Sequence, residues 1–364
     1  MRALGQMMAS LLGLGGAAEG RRAMRLFAML TLTPAALMLA GLIEGGWIAR
    51  LALVWMALVV WLLDRLIPIA APHVPDADEF PAAEGLSILL GLIHLGLFAA
   101  LVHVLAGPDL SLGARIALGL AFGLWAGQVS NSNAHELIHR QDRRLRALGL
   151  AVYVSVGYGH HASAHRLVHH VHVATPMDPN TARRGEGFWQ FARRAWPAEF
   201  MAGLRAESRR RQGGRGGRLH PYLVQLGGTV AVMLLALALG GWVGVLIWAL
   251  ISAHVQLQLM LSDYVQHYGL HRARRADGRF EPVGPGHSWD AAQWASSALM
   301  LNAPRHADHH AHPGRIYPAL ELPDRGLRLP RSLPVMAMIA MVPPLWFRMM
   351  DPRLPPAGGD QPAA

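Results

Sequence analysis

Six apolar stretches, at 26–43, 47–69, 86–106, 112–130, 222–239 and 243–261, constrain this chain more than any other feature. Each is close to the 17–25 residues or so that a helix needs to cross a hydrocarbon core. Inside such a core the backbone amides must find their partners within the helix itself. The expected fold is therefore all-α and integral to a membrane, a bundle of six transmembrane helices. With 52% hydrophobic residues the chain is too apolar for an ordinary soluble domain of 364 residues.

The first run follows Arg21, Arg22 and Arg25 and carries Pro34, which a membrane helix tolerates. Its length and the apolar run that follows it argue for a span entering from the cytoplasm rather than a cleaved leader. Residues 1–24 are then a cytoplasmic N-terminal segment, 25–350 a single membrane domain, and 351–364 a flexible tail rich in Pro, Gly and Ala. A late apolar stretch, 333–347, is short and interrupted by Pro343 and Pro344, which suits a packed or interfacial helix better than a seventh span.

A net charge of +10 first suggests nucleic acid, but its distribution excludes that partner. The chain has no lysine; of 33 arginines, 15 lie between Ser132 and His220 and 11 follow Ser262. Both segments fall on one expected side of the membrane, the positive-inside pattern facing anionic lipid. That places the N-terminus and both arginine-rich segments in the cytoplasm of a bacterial-type cell, with the chain in the inner membrane.

Cysteine is absent, which excludes disulfides, haem-thiolate and any iron–sulfur cluster on this chain. Histidine takes over as the candidate ligand, 20 residues gathered largely into clusters. His135 and His139 stand at i and i+4 in His-Glu-Leu-Ile-His, where the fourth run ends, and such a pair shares one helix face. His165, His169 and His170 form a second cluster, and His306, His309 and His310 a third at i, i+3 and i+4. His267 closes the sixth run in Asp-Tyr-Val-Gln-His-Tyr-Gly. One zinc takes three or four protein ligands, so nine histidines at one membrane face suit two metals. Imidazole alone does not name the metal; oxygen chemistry beside a bilayer, without another cofactor, favours iron.

The order His-Glu-x-x-His, His-x-x-x-His-His, His-Tyr-Gly and Arg-His-x-Asp-His-His resembles the alkane 1-monooxygenase family, the membrane di-iron hydroxylase branch of the fatty acid desaturase superfamily. Val173-Ala-Thr-Pro-Met-Asp-Pro179 and His310-Ala-His-Pro-Gly-Arg-Ile-Tyr317 extend the resemblance, which covers about Asn131 to Tyr317 and the six-span layout. It implies a cytoplasmic histidine-rich helical region holding two non-haem Fe ions. The ligands it implies are His135, His139, His165, His169, His170, His267, His306, His309 and His310. It further implies O2 as oxidant, a hydrophobic small molecule arriving from the membrane lipids, and electrons from a rubredoxin or ferredoxin with its reductase. Gln266 departs from the pattern, since family members usually carry Glu before the His-Tyr-Gly histidine.

The implied reaction is hydroxylation of a terminal C–H of medium- or long-chain alkanes to primary alcohols. A rival in the same superfamily is a desaturase or hydroxylase of acyl lipids, aromatic methyl groups or terpenoids. A rival from another class is a membrane zinc metalloprotease with Glu136 as general base, which leaves seven histidines without a role. A third, a metal-binding or transport protein, predicts no oxygen consumption. Asp178 and Asp308 are candidate partners for ligand imidazoles, as are His160, His161, His172, His271 and His312. His94 and His103 lie inside the third run, where packing and function are equally expected. His73, His220 and His287 carry no motif and are expected to be solvated. Trp55 and Trp125 are candidate limits on substrate length.

Overall fold

A computed structural model describes residues 17–74, 80–214 and 219–356. The first sixteen residues of the N-terminal segment, residues 75–79 and 215–218, and the tail from 357 onwards lie outside the described residues.

All six apolar runs are helical. Helix α1 is Ala17–Glu44. The second run is α2 (Ile48–Val54), a π turn (Trp55–Val59) and α3 (Val60–Leu66), which follow one another without a break. Helix α4 is Phe80–Ala106. The fourth run is α5 (Leu112–Trp125), a second π turn (Ala126–Ser130) and α6 (Asn131–Ile138), which carries the first histidine pair.

Amphipathic pieces then leave the apolar layer: α7 (Arg143–Ser155), α8 (His161–Ala164), a third π turn (His165–His169), α9 (His170–His172) and the arginine-rich α10 (Phe188–Gln212). The fifth and sixth runs form one long α11 (Pro221–His267), broken at Gly240 and Gly241. Gly241 has φ 59 and ψ −153, a conformation essentially reserved for glycine, and this reverses the chain between the two runs.

Among the described residues four helices are long and apolar enough to cross a membrane: Gly20–Glu44, Pro81–Ala106, Leu112–Ile138 and Pro221–His267. Along α11 the residues Leu223, Leu234, Trp242, Leu246 and Leu250 are exposed. An apolar surface of that extent is costly in water and neutral in hydrocarbon.

Polar contacts pin the bundle. The indole of Trp125 donates to the Thr31 carbonyl at 2.8 Å, tying α5 to α1. His94 Nε2 lies 2.8 Å from Ser155 Oγ, joining α4 to α7, and His103 Nδ1 lies 2.9 Å from the Leu239 carbonyl. His94 and His103 are thus engaged in packing. Asp64, near the end of the second run, accepts from the amides of Ala295 and Ser296 at the start of α12 (Trp294–Leu299).

After α13 (His306–Ala311) the late apolar stretch folds as two short helices, α14 (Leu333–Ala340) and α15 (Pro343–Met350), divided where Pro343 begins a new first turn. Met336 and Trp346 are fully buried there. The expected tail begins packed, since Asp351 accepts from the Tyr268 hydroxyl at 2.7 Å.

Candidate metal centre

The nine histidines come from four separate segments, and the structure gathers them into two groups. His135, His139, His165, His170 and His309 form one; His169, His267, His306 and His310 form the other; within each the ligand atoms lie within 4.8 Å of one another. In the first group Nε2 of His165 is 2.7 Å from that of His135 and 2.9 Å from that of His170, which is 3.1 Å from His309. In the second, His306 is 3.0 Å from both His267 and His310.

The division differs from simple helical spacing. His165 and His169, four apart, go to different groups, and His165 pairs with His170 instead. The π turn at His165–His169 is the cause, because i→i+5 winding brings residues five apart onto one face. In α13 the ordinary i, i+4 pair His306 and His310 stays together while His309 turns to the other group.

Hydrogen bonding does not account for these knots. A neutral imidazole has one N–H, yet Nε2 of His165, of His170 and of His306 each faces two others. Nε2 of His139 and of His169 are buried without a hydrogen-bond partner among the described residues. Around a cation with nitrogens at about 2.1 Å, neighbours at right angles stand about 3.0 Å apart, which is the spacing found. The residues present therefore fit metal ions.

Electrostatics agree. Burial, and then crowding by neighbouring imidazoles, hold His165, His170, His306, His309 and His310 well below the usual histidine range. They are neutral at pH 7, the form that ligates. His169 is the exception: burial lowers it, but the Asp178 carboxylate outweighs burial and holds it up at about 9. Its Nδ1 lies 2.9 Å from Asp178 Oδ2, so Nδ1–H donates to the carboxylate and the second proton of the imidazolium sits at Nε2, the position a bound cation would take.

Asp178 is itself fixed by Thr181 and by the Asn180 amide. His267 Nδ1 faces the His287 carbonyl at 3.1 Å, and His287, expected to be solvated, is buried. Asp308 does not reach a ligand imidazole; it holds His312, Arg315 and the Glu321 amide. Buried Arg305 donates to the carbonyls of Ala71 and Leu320, and Asp290 accepts from the Ala307 amide at 2.9 Å, so α13 is held from both flanks. Glu136, in the place of a protease base, is tied to Arg140 and to the Tyr317 amide.

A pocket of about 50 Å³ is lined by His135 and His165 of the first group, His306 of the second, and Tyr153, His161, Asp263 and Gln266. Buried Asp263 accepts from Asn180 at 2.8 Å, while Gln266 Oε1 accepts from Ser262 at 2.8 Å. His161 Nδ1 is 2.7 Å from Glu199, which also accepts from Tyr158. Burial raises Glu199, but the His161 imidazole more than reverses this and holds it at about 2. Sequence reasoning missed Asp263 and Glu199. The first has a signal, an acid between the end of an apolar run and His267; the second, in an arginine-rich helix, has none.

A second cavity, about 520 Å³, lies between α3, α5, α11 and α14 and shares Gly127, Ser262 and Met300 with the small pocket. Trp61 lines it, whereas Trp125 is buried against Thr31 and Trp55 lies outside its wall, so neither tryptophan proposed from sequence stands at the cavity.

Comparison with known proteins follows the same residues. A family model described as fatty acid desaturase matches residues 112–328. Alkane 1-monooxygenase 2 of Pseudomonas aeruginosa is 30% identical over 318 residues, covering 82% of this chain and 84% of that protein. Alkane 1-monooxygenase 2 of Alcanivorax borkumensis is 28% identical over 81% of this chain and 80% of its own length. An alkane 1-monooxygenase of Pseudomonas putida is 37% identical over 66% of this chain and 60% of its own.

Proposed function

The chain belongs to the fatty acid desaturase family and, within it, to the alkane 1-monooxygenase family, and from that premise we propose that it is a membrane di-iron monooxygenase converting medium- or long-chain alkanes to primary alcohols. The observation that carries this reading is a shared wall: the pocket touching both histidine groups meets an apolar cavity among the membrane helices at Gly127, Ser262 and Met300. The nine histidines are the proposed ligands, five for one iron and four for the other. When bound, the two irons supply reductive activation of O2 for insertion of one oxygen atom into a C–H bond.

The protein's own residues do the rest. The histidines and their buried partners fix the ligand nitrogens before substrate arrives, so little reorganisation remains. The cavity takes a hydrocarbon out of the bilayer, desolvates it and presents one end at the neck. Such confinement replaces a chance encounter with a positioned one. Two electrons come from a rubredoxin or ferredoxin with its reductase, since this chain has no cysteine to hold a redox cluster.

The proposed topology has six passes, with α2–α3 as the second and the two halves of α11 as the fifth and sixth. The N-terminus and the metal centre lie on the cytoplasmic side of the inner membrane. The arginines of α7 and α10 then meet anionic lipid and an acidic donor.

The test is gas chromatography–mass spectrometry of cells expressing the chain with a rubredoxin and its reductase, fed mixed medium-chain alkanes, beside a His309→Ala control. Primary alcohols that vanish in the control are expected. No alkane oxidation with iron bound and electrons delivered overturns the alkane assignment in favour of acyl lipids or aromatic methyl groups.

A further inference from the structure

Away from the two histidine groups, a cavity of about 310 Å³ lies where α7, α8 and α10 meet the start of α11. Small-molecule sites occupy roughly 300–1,000 Å³. Three pairs of residues, each three apart in the chain, bring charge and polarity to it: Arg143 and Arg146, Ser163 and Arg166, Glu207 and Arg210. Residues so spaced on a helix share a face. Burial, and then the like charges of Arg146 and Arg210, push Arg166 below the usual arginine range, and Glu207 offsets this only in part. Arg143, Arg166 and Arg210 form no hydrogen bond or ion pair among the described residues. Cations are crowded here without an anion to balance them.

The same cavity holds an acceptor without a donor. Gln225, buried at the start of the fifth run, donates through Nε2 to Ser163 Oγ at 3.0 Å, and Ser163 in turn donates to Glu207 Oε1 at 2.9 Å. Gln225 Oε1 is left buried with no hydrogen-bond partner among the described residues. An acceptor stranded in this way costs free energy until a donor reaches it. The chain Gln225–Ser163–Glu207 thus places two acceptors close together beside the arginines. The remaining wall is apolar, with Ile138, Leu150 and Leu167, and Gln225 is flanked along α11 by Leu223 and Leu226, both exposed.

We propose that this cavity binds the headgroup of a phosphoethanolamine lipid, its phosphodiester held by Arg143, Arg166 and Arg210 and its ammonium by Glu207 and Gln225 Oε1. Arginine forks match phosphate oxygens in geometry as well as charge, and a primary ammonium has N–H donors for both acceptors. Basic pockets between membrane helices take lipid headgroups in this manner. A choline headgroup has no N–H to give Gln225, and a purely anionic headgroup sets no cation against Glu207. Arg166 lies in the π turn between His165 and His169, so the bound headgroup steadies the segment that divides its histidines between the two groups. The site is independent of the monooxygenase reading and needs only that the chain resides in a membrane.

The experiment titrates purified, iron-loaded protein in detergent with dioleoyl phosphatidylethanolamine, phosphatidylcholine or phosphatidylglycerol and counts bound lipid by native mass spectrometry. The expected result is a single tightly held phosphatidylethanolamine, retained about tenfold more strongly than phosphatidylcholine, the difference that lost hydrogen bonds make. Arg210→Gln weakens both lipids about tenfold, while Arg348→Gln, at an exposed arginine of α15 outside the cavity, changes neither. Glu207→Gln narrows the preference for ethanolamine over choline, a ratio internal to the variant and independent of how much protein folds. Equal retention of ethanolamine and choline lipids overturns the proposal. So does a preference for phosphatidylglycerol, or an equal effect of Arg210→Gln and Arg348→Gln, since either outcome is attraction of charge alone. Displacement of the lipid by millimolar glycerophosphoethanolamine or inorganic phosphate assigns the cavity to a soluble phosphate and overturns the lipid as its occupant.

Discussion

The two histidine groups use the same side chain on the same segments, yet what stands behind the imidazoles differs. All four members of the second group are buried, and two have fixed Nδ1 partners, Asp178 behind His169 and the His287 carbonyl behind His267. The first group has five members, three of them only partly buried, and Nδ1 of His165 has no partner. Nδ1 of His310 in the four-histidine group likewise has none among the described residues, so the contrast rests on His169 and His267, which are set by partners, against a group held by number. Outer hydrogen bonds fix tautomer and ring angle, so the four-histidine group is the preorganised one and the five-histidine group the more adaptable.

The largest effect that tests this contrast comes from removing a ligand on each side. His267→Ala is expected to lower activity by more than the roughly 10–100-fold typical of losing an outer partner and to remove one of two irons per chain. His139→Ala, with four ligands left in its group, is expected to retain both irons. Elemental analysis of purified protein reads both, and equal iron loss in the two variants breaks the comparison.

Next in size is Asp178→Asn, which keeps the shape and removes the charge behind His169. Iron affinity of the four-histidine group is expected to drop about 10–100-fold, read by titrating Fe²⁺ into metal-free protein. An unchanged titration means that the carboxylate does not set that site.

The smallest effect is on stability and concerns Glu199, which backs the first group indirectly through His161, whose ring is 5.0 Å from that of His165. A carboxyl held low in the folded state stabilises fully above its ordinary value of 4.5 and loses that contribution as pH falls from there towards about 2. Wild type is expected to exceed Glu199→Gln in stability by on the order of 2–3 kcal/mol at pH 7. The gap narrows below pH 4.5, as measured by denaturation in detergent. A gap that stays constant down to pH 3 assigns the effect to packing instead.

Much of this was legible in the sequence because membranes and metals impose short-range rules. Each apolar run became helix, the break between 239 and 243 was marked by its two glycines, and eight of the nine histidines advertised themselves by close spacing while His267 stood alone at the end of the sixth run. Their partition was not legible, because the π turn at 165–169 carries no local marker and shifts which neighbours share a face. Nor were the partners: Asp178 and Asp308 look alike as acids beside clusters, and only tertiary contacts send one to an imidazole and the other to Arg315. His287 was misread for the same reason, since burial after residue 270 is decided by loops closing over α11 rather than by any periodicity. The tryptophans were misjudged because size is visible in a sequence and orientation is not.

His169 and His170 adjoin in the chain yet belong to different groups, and so do His309 and His310. Each pair is a peptide-length staple between the two sites. Placing an ion in one site fixes the backbone that carries ligands of the other, so the second ion meets ligands whose ordering entropy is already spent. Loading therefore becomes cooperative, and by reciprocity losing either ion loosens the remaining one. On the proposed di-iron reading the two sites load with positive coupling, and a variant that empties one of them holds its remaining iron more weakly.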